Sequence, residues 1–402
     1  MLELSMMLAK LKLNQWKSED EFKQIQEQKF KQLFSYAKEY SPYYRKTLKD
    51  CTFSNLEDLP NLPLTMKKSL QSAPDDFLSS KFTKKSLIKS SSSGSTGVPV
   101  DIYHDRSEAH FGPGFELHQF TEAGVNPFDS QIRITHNDYK QNFIQKLGIF
   151  RRKHLPFSNS PQKNLQIIKH GSQKVLIGFT SVLVPLARAN LETRAKAKII
   201  FTSGEVLSES DRKLISESFS CPVRDMYGCV ETSWIAWECE EGSMHLFSDY
   251  LIAEIVDDDY RPTKGSGNIV ITPLWKRSMP LIRYFLTDQT AIAKRCKCGR
   301  GSTVIKPVIG RDDDFIVLKN GSKLSPAVIS CALNDVNVKE YQIVQNAIDD
   351  FIFKYVPAKG LDIVNLKKIF KDQIGDVHIE FEELEKISCT RTGKRKKIIT
   401  RI

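Results

Sequence analysis

The sequence lacks any long apolar run. None of its 402 residues falls in a segment that approaches the roughly 18 consecutive apolar residues of a membrane-spanning helix. Residues 1–22 mix Leu and Met with Lys, Glu and Asp at helical spacing, a pattern unlike a secretory signal peptide. We therefore expect a cytoplasmic protein with no membrane span.

Cysteine is also scarce, and no internal repeat or long low-complexity tract stands out. Eight cysteines in a chain of this length do not suggest a disulfide framework, particularly in a reducing compartment. We expect buried thiols, or metal ligands where cysteines cluster. The 40% share of hydrophobic residues is normal for a globular chain with a sizeable core.

The basic charge favours anionic ligands without identifying one. A formal net charge of +11 suits ATP and coenzyme A as well as nucleic acids. The two densest basic clusters, at 151–153 and 391–397, are not interleaved with the aromatic residues typical of single-strand binding platforms. We expect no nucleic-acid partner.

The pattern of apolar residues predicts an α/β fold. Residues 22–50 show helical spacing that Ser41 and Pro42 interrupt, and from Lys198 short β-rich runs alternate with helical ones. After Asp249 the sequence is rich in strands, and the last ninety or so residues indicate a small α+β unit. We predict a large N-terminal domain of helix-covered sheets with a β-rich subdomain over 1–309, and a small α+β C-terminal domain over 310–402.

One loop stands out as a candidate phosphate cradle. Its glycines allow close backbone approach, and its hydroxyl and N–H groups suit phosphate oxygens. It is neither a Walker loop nor a nucleophile elbow, because G-x-x-x-x-G-K-[ST] and G-x-S-x-G are both absent. Taken alone, the loop could equally be a flexible linker. Its candidate ligands are Ser92, Ser93, Gly94, Ser95, Thr96 and Gly97.

The sequence resembles the adenylate-forming superfamily along almost its whole length. Within it, the chain is most similar to the phenylacetate-CoA ligase family and to the relatives of that family in capsular polysaccharide biosynthesis. The motifs that carry the resemblance occur in the family's order: YAKEYSPYYRKTL, LPLTMKKSL, SSSSGSTGVP, FTSGEVLSESDR, VRDMYGCVETS, ECEEGSMH, TPLWKRSMPLIRYFLTD, KCGRG, GRDDDFIVLKNG and RTGKRKKII.

The resemblance implies a nucleotide site. Tyr227 and the adjacent Gly228 match the adenine-stacking segment, and Glu231 matches a Mg²⁺-associated glutamate, a hard oxygen ligand suited to that ion. Asp288 matches the ribose-binding aspartate. The remaining matches are Gly204 and Glu205 beside adenine, Arg311 at the domain hinge, and Lys394 as the lysine of the mobile C-terminal domain that stabilises the adenylation transition state.

A second constellation predicts a structural zinc site. Cys239, His245, Cys296 and Cys298 offer the Cys₃His set that zinc prefers. The spacings C-x₅-H and C-x-C depart from those of ordinary zinc ribbons, and two buried thiols beside a surface turn are the alternative. Matching segments in the relatives favour zinc.

The expected function is ATP- and Mg²⁺-dependent adenylation of a small carboxylic acid, followed by acyl transfer to a thiol, with coenzyme A as the expected acceptor. An aromatic acid is expected from Phe143, Phe179, Trp234 and Trp237, although such residues are often plain core. Two departures from the family bear on this: Val98 replaces a phosphate-loop lysine, and Lys-Asn-Gly after Arg311 differs from aryl-CoA ligases.

Alternative functions follow from those departures. An enzyme of the same superfamily could pass the acyl group to an amine or hydroxyl in surface-polysaccharide or specialised biosynthesis. A protein of another class could retain the fold as a non-catalytic nucleotide-binding protein. The oligomeric state is open, with a homodimer as one option.

Overall fold

A computed structural model describes residues 2–91, 100–135, 145, 148–156, 159–170, 173–309, 315–319, 323–324, 329, 333, 338–358, 361–388 and 396–402. Contacts divide the chain into two compact units. The first comprises Met1–Val125 and Met226–Val308, and the second comprises Asn126–Asp225 and Ile309–Ile402.

The α-helices are distributed over both units. In chain order they are α1 (Leu2–Asn14), α2 (Glu19–Tyr40), α3 (Pro42–Thr47), α4 (Lys67–Ser72), α5 (Phe111–Glu122), α6 (Pro161–His170), α7 (Thr180–Thr193), α8 (Glu209–Phe219) and α9 (Ile363–Ile374).

The strands of the first unit are mostly antiparallel. They are β1 (Ile88–Ser91), β2 (Asp101–His104), β7 (Val223–Cys229, which begins in the second unit), β8 (Ser233–Glu238), β9 (Met244–Leu246), β10 (Leu251–Val256), β11 (Gly267–Pro273), β12 (Tyr284–Thr290) and β13 (Val304–Ile305).

The strands of the second unit include a parallel group. They are β3 (Ser130–Thr135), β4 (Arg152–Pro156), β5 (Gln173–Gly178), β6 (Ile199–Ser203), β14 (Ile316–Val317), β15 (Lys323–Leu324), β16 (Val338–Ala347), β17 (Asp350–Pro357), β18 (His378–Glu383) and β19 (Ile398–Thr400).

Helix α2 shows how local sequence sets an element. Ser18 caps its N-terminus in a capping box with Glu21, which satisfies two backbone N–H groups that the helix leaves free. Phe30, Leu33 and Ala37 form a buried stripe at helical spacing. The helix ends at Tyr40, directly before the predicted Ser41-Pro42 stop, because Pro42 opens α3.

The first unit has one large apolar core and two antiparallel arrays. Strand β8 pairs with β7 and β9, and β9 pairs with β13. Strands β10, β11 and β12 form a separate three-stranded sheet. Strands β1 and β2 are antiparallel, and Ser91 pairs with Asp101. The candidate phosphate loop lies between these strands in the sequence and outside the described residues.

The second unit has two separate apolar cores. One lies between residues 132 and 223, where the parallel strands β4, β3, β5 and β6 are covered by α6, α7 and α8. The other lies between residues 316 and 398, where α9 packs with the sheet β18-β17-β16-β19. The predicted α/β fold with a small α+β C-terminal part is thus confirmed. The proposed division at residues 309 and 310 stays a prediction.

One strand begins later than the sequence indicates. The run 279–286 reads as a strand, but β12 starts at Tyr284. Arg283 has a positive φ of 48°, and its guanidinium is held by the Glu254 carboxylate at 2.9 and 3.0 Å. This buried ion pair fixes a bend before the strand.

No helix among the described residues combines the length and apolar character needed to cross a bilayer. The cytoplasmic location stays a prediction.

Candidate nucleotide and metal sites

Two of the predicted nucleotide-binding residues are in direct contact. Tyr227 lies near the end of β7 and Asp288 lies in β12. The Tyr227 hydroxyl donates a hydrogen bond of 2.7 Å to Asp288 Oδ2, and both side chains are buried. A hydrogen bond to a carboxylate is stronger than one between neutral groups, so this contact fixes both side chains in place.

Gly228 forms a bulge next to Tyr227. The register between β7 and β8 shifts between these two residues. A Cβ atom at Gly228 would lie 2.5 Å from the Ser233 carbonyl oxygen and 2.9 Å from Trp234 Cα. Only glycine fits this close approach of two backbones, and the bulge re-aims the Tyr227 side chain.

Glu231 lies in the turn between β7 and β8 and is buried. Its Oε1 atom accepts a hydrogen bond of 3.4 Å from the hydroxyl of Tyr284. Beside it, Cys229 Sγ and Thr232 Oγ1 are 3.0 Å apart. A buried carboxylate oxygen of this kind has the chemistry of a Mg²⁺ ligand.

Lys276 is a residue that the sequence analysis missed. It lies between β11 and β12 in the first unit and is 2% exposed. Burial lowers its pKa, against the opposing attraction of Glu108, Cys229 and Glu231. The sequence does not signal this burial, because the charged Arg277 follows Lys276 directly in the segment TPLWKRSMPLI.

Gly204 and Glu205 lie in the second unit. Gly204 has a positive φ of 71°, a conformation that favours glycine. The Glu205 carboxylate accepts hydrogen bonds from the backbone N–H and the hydroxyl of Ser181, at 2.7 and 2.9 Å. Because Ser181 is in the first turn of α7, the carboxylate satisfies that helix terminus. Contact of either residue with adenine stays a prediction.

The four predicted zinc ligands converge. Their ligand atoms all lie within 4.8 Å of one another, with 3.6 Å between Cys239 Sγ and Cys296 Sγ, and 3.3 Å between Cys298 Sγ and His245 Nε2. A tetrahedral zinc ion with Zn–S bonds of about 2.3 Å would hold two sulfurs roughly 3.8 Å apart. The spacing fits such a site and is far too long for a disulfide.

The surroundings of His245 suit a role as a metal ligand. The residue is completely buried in β9, and its Nδ1 lies 3.0 Å from Ser302 Oγ, which orients the ring as partners of metal-bound histidines do. Burial lowers its pKa to about 4, so the ring is neutral at neutral pH. The Cys296–Cys298 segment continues into Gly301. A Cβ atom at this position would lie 1.9 Å from the Lys17 carbonyl oxygen, so glycine is needed for the close approach of the two backbones.

A buried arginine joins this cluster to the N-terminal helices. Arg300 donates to Gln15 and Glu122 at 2.8 Å each, and to both oxygens of Glu240. Its guanidinium lies about 5 Å from the rings of Trp16 and Trp237. Trp237 is 5.8 Å from His245 and belongs to the core, so it fits the plain-core alternative better than an acid pocket.

Several predicted residues lie outside the described part of the chain. They are Ser92, Ser93, Gly94, Ser95, Thr96, Gly97, Phe143, Arg311 and Lys394. Of the other aromatic residues proposed for the acid pocket, Trp234 packs at the edge of the first unit's core, and Phe179 is the N-cap of α7.

Comparison with known proteins gives the relatives of the chain. The model of the CapK C-terminal domain matches residues 316–401. Protein CapK of Staphylococcus aureus is 24% identical over 433 residues, covering 94% of this chain and 89% of that protein. Phenylacetate-coenzyme A ligase of Thermus thermophilus is 26% identical over 353 residues, covering 81% and 78%. The chain is similar in sequence to protein CapK and to phenylacetate-coenzyme A ligases.

The fold is similar to that of a solved CoA ligase. A crystal structure of 2-hydroxyisobutyryl-CoA ligase, in complex with an acyl-AMP, superposes with a TM-score of 0.75 at 20% identity and covers 93% of this chain and 88% of that one.

Proposed function

We propose that the protein is an AMP-forming acid–thiol ligase. A carboxylate oxygen of the acid attacks the α-phosphorus of ATP, pyrophosphate leaves, and the sulfur of coenzyme A then displaces AMP from the acyl carbon. The observation that carries the proposal is the buried Tyr227–Asp288 hydrogen bond in the same unit as the buried Glu231 carboxylate.

The described residues supply binding and orientation. Tyr227 is proposed to stack on adenine, and Asp288 to accept hydrogen bonds from the ribose hydroxyls, as a carboxylate with several acceptor sites can. Their mutual hydrogen bond restricts both side chains before the nucleotide arrives, which lowers the entropy lost on binding. The proposed roles of Gly204, Glu205, residues 92–97, Arg311 and Lys394 rest on the family resemblance.

Glu231 is proposed to hold the Mg²⁺ ion. The ion, when bound, neutralises charge on the ATP phosphates. The Tyr284 hydroxyl at 3.4 Å orients the Glu231 carboxylate and leaves its other oxygen for the ion or a water ligand.

Cys239, His245, Cys296 and Cys298 are proposed to hold a structural zinc ion. Cys239 lies between β8 and β9, His245 lies in β9, and Cys296 and Cys298 lie between β12 and β13. Together these four ligands would close the coordination shell and leave no open position for catalysis. Their role is therefore stability of the strand-rich part of the first unit.

A second acceptor class is supported by the CapK C-terminal match over residues 316–401. An amine or hydroxyl of a surface polysaccharide or of a specialised metabolite could replace coenzyme A in the second step. The acid, for which an aromatic group is proposed, would be activated in the same way.

Pyrophosphate release tests the proposal. Purified protein is incubated with Mg-ATP and a panel of aryl, aliphatic and amino acids, each with and without coenzyme A. Acid-dependent release is expected, and Glu231→Gln should reduce it by roughly tenfold or more, by loss of a transition-state charge contact. Glu241→Gln, at an exposed position nearby, is the matched control. Release without thioester favours the second acceptor class, and silence across the panel favours a non-catalytic nucleotide-binding protein.

A further inference from the structure

Lys276 is a buried lysine whose ammonium group forms no ion pair with the described residues. Its side chain is among the largest that are fully buried, and its Nζ lies 5.5 Å from the centre of the Trp275 ring. No hydrogen bond or ion pair reaches the ammonium group from the residues that the structure describes. An unpaired buried ammonium destabilises the folded state, so an apolar residue would be favoured here by folding alone.

The Glu108 carboxylate, which attracts the charge of Lys276, is already hydrogen-bonded to the residues that follow the lysine. Glu108 is buried and accepts hydrogen bonds from the backbone N–H of Arg277, from the N–H of Ser278 at 2.8 Å, and from the Ser278 hydroxyl. These bonds hold the turn that follows Lys276. Glu108 therefore positions the lysine without forming an ion pair with it.

The surroundings favour an organic anion. Trp275, which directly precedes Lys276, stacks on Phe111 with 4.5 Å between ring centres. Trp234 and Cys229 pack against the apolar core of the same unit. Burial lowers the pKa of Lys276, and the carboxylates of Glu108 and Glu231 oppose that effect. Aromatic and apolar side chains around a few charged groups are the usual lining of a small-molecule site.

We propose that the Lys276 ammonium binds an oxyanion of the substrates, either the carboxylate of the acid or the α-phosphate of ATP. The identity of the anion rests on the proposed function. In adenylation the carboxylate oxygen forms its bond to the α-phosphorus, so the two anions meet at one point and a single fixed cation can contact both. Lys276 would then supply a cationic contact that Val98 does not.

The test compares stability with binding in Lys276→Met. Methionine keeps most of the side-chain volume and removes the charge, so the unliganded melting temperature should be unchanged or higher. Binding is measured by calorimetry with Mg-ATP, AMP, inorganic phosphate and phenylacetate, each alone. We expect the affinity for at least one probe to fall by roughly tenfold to a hundredfold, while the exposed Lys264→Met control binds as the wild type does.

The probes separate the two sources of the anion. Weaker binding of AMP and phosphate identifies the nucleotide, and weaker binding of phenylacetate alone identifies the acid. Unchanged affinity for every probe, or a melting temperature well below that of Lys264→Met, overturns the proposal in favour of a structural lysine. If phosphate binding is lost in Lys276→Met while the wild type shows no acid-dependent pyrophosphate release, the anion site stands and the ligase proposal fails.

Discussion

Arg300 offers a direct test of how the Cys₃His cluster is joined to the N-terminal helices. The Arg300→Met variant removes a guanidinium that is 4% exposed, together with its hydrogen bonds to Gln15, Glu122 and Glu240. Glu240 is half exposed and can turn to water. Glu122, at 12% exposure, would keep a largely buried carboxylate with only Lys12, at 3.7 Å, as its remaining cation.

The magnitude follows from this asymmetry. Breaking a buried ion pair by removing one partner costs about 3–5 kcal/mol, because the other charge is left uncompensated. Lys12 offsets part of that, so we expect a loss of roughly 3 kcal/mol in the free energy of unfolding. For a unit of this size, at about 2–4 °C per kcal/mol, the melting temperature should fall by roughly 6–12 °C.

Tryptophan fluorescence in a urea titration reports on the surroundings of Arg300, because Trp16 and Trp237 flank this residue. The matched control is Arg295→Met, which removes an exposed ion pair to Glu19 and should cost less than about 1 kcal/mol. Adding Glu122→Gln to Arg300→Met should recover part of the loss. If Arg300→Met unfolds at the same urea concentration as Arg295→Met, the reasoning is refuted.

Two further predictions concern the same region. The wild type should contain about one zinc ion per chain by elemental analysis. The Cys298→Ser variant should lose the zinc and be less stable, whereas Cys51→Ser, outside the cluster, should keep the zinc. A metal-free wild type would rule the site out. His118 is buried against Trp237, and burial lowers its pKa to about 4 from 6.5. The unfolded chain therefore takes up a proton at His118 first, so stability should fall as pH drops from 6.5 to 4. The His118→Phe variant should lose less stability over that window, and an equal loss would contradict the assigned pKa.

Local rules accounted for much of the fold. The Ser41-Pro42 stop of α2 and the Ser208 N-cap of α8 depend on residues within a few positions of each other, and the sequence shows them directly. The start of β12 could not be found in this way. It depends on Arg283 reaching Glu254 and the carbonyl oxygen of Pro60, contacts between residues far apart in the chain.

The same difference between local and long-range determinants applies to the candidate sites. The zinc ligands could be proposed because cysteine and histidine are distinctive residue types and occur in motifs matched by relatives. Lys276 could not be proposed as a site residue, because nothing in the sequence distinguishes a buried lysine among 59 Lys and Arg residues. Its position depends on Glu108 fixing the next turn from 170 residues away.

The central claim is that the protein forms an acyl-adenylate. The most direct measurement is exchange of labelled pyrophosphate into ATP in the presence of each acid of the panel, because this exchange reports the first half-reaction whatever the final acceptor is. We expect exchange that requires both the acid and Mg²⁺ and that falls at least about tenfold in Glu231→Gln. Exchange that is independent of the acid, or absent for every acid although ATP binds, would contradict it.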